Sequence, residues 1–139
     1  MAILSSYSVR TAHTSERVFA LWADPAGWPA WDPEVREVVF SGPAQVGARG
    51  RLRPASGPAA SFTVTVFERD RRFTDASSLP GAKLVFAHEV VSEDAGSTVR
   101  VEVRIEGPLA PLWKRVLGRG LADAARSSVT GLLAHLDAA

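Results

Sequence analysis

The sequence contains no cysteine, and that absence removes several kinds of chemistry at once. Disulfides, thiolate nucleophiles, iron–sulfur clusters and zinc sites built on cysteine are all excluded. Histidine is scarce as well: His13, His88 and His135 lie far apart and lack the spacing of metal ligands. The sequence therefore predicts a protein that works without a metal or any other cofactor.

Long apolar runs and a clear excess of one charge are also missing. No apolar stretch approaches the ~20 residues that span a bilayer. Residues 1–10 lack the basic and apolar regions of a signal peptide. Sixteen Lys and Arg against fifteen Asp and Glu give a net charge of +1, which offers no broad field for nucleic acid. We therefore expect a cytoplasmic protein with no nucleic-acid partner and no integral membrane association.

The composition that remains is that of a globular domain. Of the 139 residues, 46% are hydrophobic and 22% are charged, values close to globular averages. There is no internal repeat and no linker long enough to separate two domains. Residues 1–139 are therefore predicted to form one domain, whose oligomeric state the sequence leaves open.

The chain begins with the pattern of a half-buried strand. Residues 2–12 alternate, and the pattern places Ile3, Ser5, Tyr7 and Val9 on the inward face. The ring of Tyr7 can pack as part of an apolar wall, and its hydroxyl can act as an acid toward a ligand, so both roles remain open.

Two short helical elements are predicted next. Thr14 has the character of an N-cap, and the apolar residues after it end at Asp24-Pro25, because a residue before proline resists the helical conformation. The segment that follows holds Trp28 and Trp31, three residues apart, which one helical turn would place on the same side. Either these rings anchor the segment to the core, or one of them lines the mouth of a cavity.

Between Glu34 and Gly107 the sequence predicts six further strands, separated by turns rich in glycine, proline and charge. In the third of them Phe62, Val64 and Val66 alternate with polar residues. In the last, residues 98–106, valine and isoleucine alternate with arginine and glutamate, as in an antiparallel sheet covered on one face.

The end of the chain predicts one long helix. Apolar and small residues recur at three- and four-residue steps from Leu109 to Leu136. Gly118, Gly120 and Gly131 interrupt this pattern, and each costs up to ~1 kcal/mol relative to alanine within a helix. Such glycines let a helix bend or let another backbone come close.

Four segments carry a resemblance to a known family: residues 18–25, 28–31, 86–90 and 107–113. Together with the order of elements, they resemble the helix-grip domain of the START-like (SRPBCC) superfamily, the polyketide cyclase/dehydrase and lipid-transport group, over essentially the whole chain. The resemblance implies an α+β fold with a curved antiparallel sheet of about six or seven strands. This sheet wraps around a long C-terminal helix, two short helices follow the first strand, and a cavity for an apolar ligand lies inside.

Side-chain size supports a cavity independently of the resemblance. The predicted helix face is partly small, with Gly120, Ala124, Ala125 and Ser128, and many inward strand residues are valines. Small side chains on both walls leave space unless larger residues fill it. We expect a small hydrophobic molecule as partner, in a cavity lined by Tyr7, Trp31, Phe62, Val64, Phe73, Phe86, His88, Val101, Val103, Leu117, Leu121 and Ala125.

Polar residues on the inward face decide between binding and catalysis. If Val91 pairs near Thr98, His88 lies opposite Val101 and faces inward, whereas a shift of one residue puts Glu89 inside. An inward His88 is either a core histidine bonded to a neighbouring carbonyl or hydroxyl, or a group that contacts ligand and moves protons. Asp75 shares the phase of Phe73 and is a less secure candidate.

Three functions remain open from the sequence. The first is binding of a lipid- or polyketide-like molecule, and the second is an enzyme of the cyclase/dehydrase type that uses the same cavity. The third is an interaction module with a filled core and no pocket. A second inward acid or base near His88 would favour the enzyme, and the sequence does not identify one.

Overall fold

A computed structural model describes residues 1–139 and shows one antiparallel sheet with helices on its inner face. The strands are β1 (Ala2–Thr11), β2 (Val35–Phe40), β3 (Arg49–Pro54), β4 (Ala60–Glu68), β5 (Arg72–Leu79), β6 (Ala82–Glu93) and β7 (Gly96–Glu106). The helices are α1 (Ser15–Trp22), α2 (Ala110–Leu117) and α3 (Ala124–Ala138), with a 3₁₀ helix at Pro25–Ala30. The predicted α+β helix-grip architecture is confirmed.

The strand order is β1-β7-β6-β5-β4-β3-β2, so the first strand closes onto the last one. Consecutive strands from β2 to β7 are antiparallel neighbours. Between β6 and β7 the turn is only Asp94-Ala95, with Ala95 at φ 62°, and it sets Val91 opposite Thr98. This is the register that the sequence favoured.

The two short helical elements form as predicted. The Thr14 hydroxyl accepts a hydrogen bond from the Arg17 N–H at 3.2 Å and so caps α1. Trp28 lies within the 3₁₀ helix, and its indole N–H donates to the carbonyl of Trp22 at 3.1 Å. Trp28 and Trp31 are both buried, so both rings anchor this segment to the core.

An irregularity in β1 corrects the predicted inward face. The register shifts between Ile3 and Ser5, so that Ile3 opposes Arg104 and is 48% exposed. Ser5 and Tyr7 keep the predicted phase and oppose Val103 and Val101. A bulge adds one residue to a strand and reverses the facing of everything before it, which alternation in the sequence does not reveal.

A second irregularity, in β4, has the same effect. The register shifts between Val64 and Val66, which leaves Phe62 and Val64 buried as predicted. Beyond the shift, Phe67 opposes Phe73 and packs against it with ring centroids 6.0 Å apart. Phe67, not Val66, therefore continues the inner face.

The C-terminal helix is divided, whereas the sequence predicted one helix over Leu109–Leu136. α2 ends at Leu117, and residues 118–123 form turns before α3 begins. Gly118 and Gly120 fall in this break, where their low helix propensity is concentrated. Gly131 lies within α3 at a close backbone approach, since a Cβ added there would lie 2.2 Å from the carbonyl oxygen of Trp31.

β1 and the turn after it hold α3 near both of its ends. The Ser5 hydroxyl accepts a hydrogen bond from the Ala125 N–H at 3.1 Å. At the other end, His13 Nε2 donates to the Asp137 carboxylate at 2.6 Å. The small residues of α3 therefore let the helix pack directly on β1 and β7, and the gap expected beside Ala125 is not found there.

No helix combines the length and the hydropathy that crossing a membrane requires.

Candidate functional site

One half of the interior, which we call the closed end, is fully packed. Phe73, Val90 and Val99 face inward from β5, β6 and β7, and all three side chains are 0% exposed. Val18 and Trp22 of α1 cover them and are equally buried. No ligand could enter here without displacing core side chains, which costs several kcal/mol.

The other half, the open end, keeps apolar inward residues that are only half-buried. Leu84 and Phe86 face inward from the first part of β6, and Leu117 and Leu121 border the break between α2 and α3. Strand pairing relates the sheet to the start of α3 at this level. Phe86 opposes Val103 of β7, Val103 opposes Ser5 of β1, and the Ser5 hydroxyl bonds to the Ala125 N–H at the start of α3. An inner sheet face that retains exposure marks where the interior is accessible.

His88 lies at the closed end, opposite Phe73 and Val101, and faces inward as the favoured register predicted. A carbonyl only accepts hydrogen bonds, so Nδ1 carries the proton and donates to the Phe73 carbonyl at 2.8 Å. The ring also packs on Trp22, with centroids 5.1 Å apart. Burial lowers the pKa of His88 to about 4, against the upward effect of its backbone hydrogen bonds. His88 is therefore a neutral histidine at physiological pH.

Asp75 occupies the boundary between the two ends. It faces inward on β5, between Val64 on β4 and Phe86 on β6. The residue is 5% exposed, and none of the side-chain hydrogen bonds in the protein involves its carboxyl group. Since no fully sealed side-chain oxygen lacks a partner, this carboxyl must reach a space that water can enter.

A second carboxyl group lies near enough for its charge to act on Asp75. Asp32 follows the 3₁₀ helix, accepts a hydrogen bond from the Glu34 N–H at 2.9 Å, and has the Ser128 hydroxyl of α3 beside it. Ser128 comes from the same face of α3 that contacts the sheet. Three separate parts of the chain thus bring a small polar group to the edge of the open end.

Burial raises the pKa of both carboxyl groups, and it raises that of Asp75 further. Burial raises the pKa of Asp32 to about 6, opposed by the Glu34 N–H and the Ser128 hydroxyl. Burial also raises the pKa of Asp75, to about 8, and the nearby charge of Asp32 acts in the same direction. At neutral pH one proton therefore resides on the pair, and Asp75 holds it.

The predicted lining residues divide between the two ends. Phe86, Leu117 and Leu121 belong to the open end. Tyr7 is half-buried on the edge strand β1, and its ring packs against the core. The remaining predicted residues are buried within the core behind the site: Trp31, Phe62, Val64, Phe73, His88, Val101, Val103 and Ala125.

Residue patterns marked one member of the acid pair, Asp75, as a less secure candidate and missed the other, Asp32. Asp75 has the phase of Phe73, so alternation alone assigns it inward, and only its acidity argued against that position. Asp32 lies in an irregular segment between Trp31 and Pro33, where no periodicity applies. Alternation along β5 was thus the signal that made Asp75 a candidate, and no such signal exists for Asp32.

The outer face of the sheet carries a shallow depression of about 280 Å³. Charged outward side chains line it, among them Arg72, Glu89 and Arg100, and Arg72 forms an ion pair with Glu89 at 3.0 Å. A polar depression of this kind does not suit an apolar ligand. No group of three or more potential ligands is arranged to hold a metal ion.

Comparison with solved structures agrees with the fold. A START superfamily protein from Mycobacterium smegmatis superposes with a TM-score of 0.68 at 17% identity, over 98% of this chain and 99% of that one. A hypothetical protein from Helicobacter pylori gives a TM-score of 0.74 at 14% identity, covering 94% of this chain and 86% of that one. A protein from Mesorhizobium loti gives 0.73 at 17% identity, covering 95% and 96%.

A comparison with curated protein sequences finds no match. The family model for polyketide cyclase/dehydrase and lipid transport, in contrast, matches residues 3–139. The match includes every element from β1 to α3, the acid pair and both ends of the interior. The chain therefore belongs to the polyketide cyclase/dehydrase and lipid transport family.

Proposed function

We propose that the protein binds a small apolar or aromatic molecule, lipid- or polyketide-like, at the open end of its interior. One observation carries the proposal: the inward apolar wall formed by Leu84 and Phe86 stays half-buried beside an almost buried carboxyl group, Asp75, that has no partner in the protein. A folded chain normally buries such a wall or pairs such a group. A ligand would do both.

The energy for binding comes mainly from apolar surface. Removal from water contributes roughly 25 cal/mol per Å² of apolar area, before the costs of ordering are subtracted. Phe86 on the sheet and Leu117 and Leu121 beside the break between α2 and α3 provide this half-buried surface. The packed closed end behind them keeps the walls in place, because its side chains have no space in which to rearrange.

The break between α2 and α3 provides the entrance. Residues 118–123 lie in turns and include two glycines, so this cover is the least regular part of the inner layer. Gly120 has open space around the position of a Cβ, with the nearest atom 3.8 Å away. We therefore expect ligand to enter beside Leu121 and to contact Phe86.

Titration with N-phenyl-1-naphthylamine, a neutral dye that fluoresces in apolar surroundings, tests this proposal. We expect saturable binding to the native protein and at least tenfold weaker binding to Leu121→Trp, whose indole would fill the entrance. The matched control is Val39→Trp, because Val39 is 62% exposed on the outer face of β2. Circular dichroism and thermal melting verify that both variants fold. Equal binding by the two folded variants would contradict an internal site.

The acid pair favours a second candidate function, an enzyme of the cyclase/dehydrase type in the same site. Two carboxyl groups with pKa values near 6 and near 8 can hold one proton and accept another at neutral pH. Proton exchange at the carbon next to a ketone, followed by NMR in D2O, tests for this chemistry. Enzyme activity requires exchange that Asp32→Asn abolishes, whereas binding without exchange favours a carrier.

A further inference from the structure

The two interior carboxyl groups differ in the partners that the protein gives them. Asp32 has two donors, the Glu34 N–H at 2.9 Å and the Ser128 hydroxyl. Asp75 has none, and its neighbours along the sheet are Val64 and Phe86. Asp75 is nevertheless the more deeply buried of the two. This asymmetry determines which group carries charge.

No cation balances the pair. None of the six ion pairs of the structure includes Asp32 or Asp75. The nearest titratable side chain on β6 is His88, which is neutral and donates to a backbone carbonyl. Two adjacent buried carboxylates without a cation are strongly unfavourable, so one of them takes up a proton. Asp32 keeps its charge because it has the donors, and Asp75 holds the proton.

A protonated Asp75 is a hydrogen-bond donor without an acceptor. Its O–H lies at the boundary of the open end, next to Phe86, and the protein offers it no oxygen to bond. In the free protein this O–H is left to water that reaches the site. A ligand that displaces the water must therefore bring an acceptor of its own, because leaving the buried donor without a hydrogen bond is costly. A carbonyl oxygen is the acceptor that an otherwise apolar molecule most simply supplies.

We propose that Asp75, as a neutral carboxylic acid, donates a hydrogen bond to a carbonyl oxygen of the ligand and so selects apolar ketones over hydrocarbons. This rests on the proposed function, because it assumes a ligand at the open end. A ligand ammonium group is the competing possibility. It is less well matched, since the one charge of the pair, on Asp32, already has two donors.

The proposal makes ketone binding depend on pH in a definite direction. The groups that face Asp75 are Asp32, from the segment after the 3₁₀ helix, and His88, from β6; β4 contributes Val64 and α3 contributes Ser128. His88 stays neutral, and Asp32 stays ionised, above pH 7. Only Asp75 changes its state between pH 7 and 9, and it loses the donated proton as pH rises.

The experiment uses 6-propionyl-2-(dimethylamino)naphthalene, a naphthyl ketone whose emission shifts to the red when its carbonyl accepts a hydrogen bond. We expect the native protein to bind it about tenfold more weakly at pH 9 than at pH 7, because a donor with a pKa near 8 is then about nine-tenths ionised. N-phenyl-1-naphthylamine, which has no carbonyl, should bind equally at both pH values. This comparison needs no variant and so does not depend on the folding of one.

Two variants separate the donor from the charge. Asp75→Asn retains an N–H donor that does not titrate, so ketone binding should stay within threefold from pH 7 to 9. Asp75→Val retains the volume without a donor, so ketone binding should be about tenfold weaker at pH 7 and the red shift should disappear. Circular dichroism at each pH verifies that the proteins remain folded.

Five outcomes would overturn the proposal. Weaker binding of both dyes at pH 9 would mean that the whole site changes with pH. Equal ketone binding by the native protein and by Asp75→Val would mean that Asp75 is not the donor. Tighter binding of 1-naphthylmethylamine than of the ketone above pH 8 would assign Asp75 as a carboxylate for a cation. If the neutral dye binds and the ketone binds no more tightly at pH 7 than at pH 9, only this inference fails. If neither dye binds at any pH, the proposed function fails as well.

Discussion

The closed end and the open end of the interior share one sheet face but differ in what covers them. At the closed end, α1 places Val18 and Trp22 over Phe73 and Val90, and all four are sealed. At the open end, the cover is the break between α2 and α3, and Phe86 remains half-buried. Burial of an inward side chain is therefore set by the element above it, not by its own strand.

The difference shows how one apolar face can serve two purposes. The closed end supplies most of the stability, because fully buried aromatic and branched side chains gain the whole of their transfer free energy. At the open end the apolar side chains gain only part of their transfer free energy, and a bound ligand would bury the rest of their surface. Asp75 lies between them and pairs with Phe86, so its carboxyl group faces the boundary.

The strongest test of this comparison removes one phenyl ring from each end. We expect Phe73→Ala to lower the free energy of unfolding by about 3–5 kcal/mol, because Phe73 is completely buried among aromatic rings. Phe86→Ala should cost only about 1 kcal/mol, roughly half the transfer energy of a buried phenyl side chain. Urea denaturation measures both. Equal losses would mean that the two ends are packed alike.

A pair of glycines sharpens the comparison at the level of the helical cover. Gly131→Ala should destabilise the protein by about 1–3 kcal/mol, because the new methyl group would overlap the Trp31 carbonyl, 2.2 Å away. Gly120→Ala, in the break at the open end, has room and should raise stability by about 0.4–1 kcal/mol through the unfolded chain. Thermal melting distinguishes the signs. A stable Gly131→Ala protein would show that α3 and the tryptophan segment are free to separate.

The third prediction concerns the proton on the boundary residue, Asp75. Between pH 6.5 and 8 the native state keeps a proton on Asp75 that the unfolded chain has lost, so raising the pH favours unfolding. His88 offsets only a small part of this, because the unfolded imidazole, with a pKa of 6.5, is already mostly neutral above pH 7. We expect stability to fall by about 1–2 kcal/mol across this window, and Asp75→Asn to remove the fall.

The matched control for the pH experiment is Asp94→Asn, in the exposed turn between β6 and β7. This variant should retain the full pH dependence of the native protein. Urea unfolding at both pH values provides the measurement. A flat native profile would show that Asp75 is ionised, and the hydrogen bond assigned to it would then be lost as well.

Much of the fold was predictable because local rules agree with the tertiary structure. Strict alternation over residues 98–106 and a tight turn before it set the β6–β7 register, which fixed His88 opposite Val101. The Thr14 cap and the Asp24-Pro25 stop likewise act within a few residues. Such features depend on nearby sequence alone.

The features that failed depend on distant parts of the chain. The bulge before Ser5 is fixed by pairing with β7, about a hundred residues later. The point where α3 begins after the break is bonded to Ser5, on the first strand. The acid pair brings together Asp32 and Asp75, which three whole strands separate along the chain. The bulge leaves no periodic signal, and alternation marked Asp75 as a candidate without indicating that Asp32 lies near it.

The bond between Ser5 and the backbone of Ala125 has a consequence for how the chain folds. Asp123, the N-cap residue of α3, makes no side-chain hydrogen bond to the helix. The Ala125 N–H donates instead to the Ser5 hydroxyl, 120 positions earlier in the chain. This N–H in the first turn of α3 therefore gains its hydrogen bond only after β1 has paired with β7. Contacts so remote along the chain form slowly. We expect the site to assemble in the final step of folding, after the hairpins from β2 to β7 are already in place.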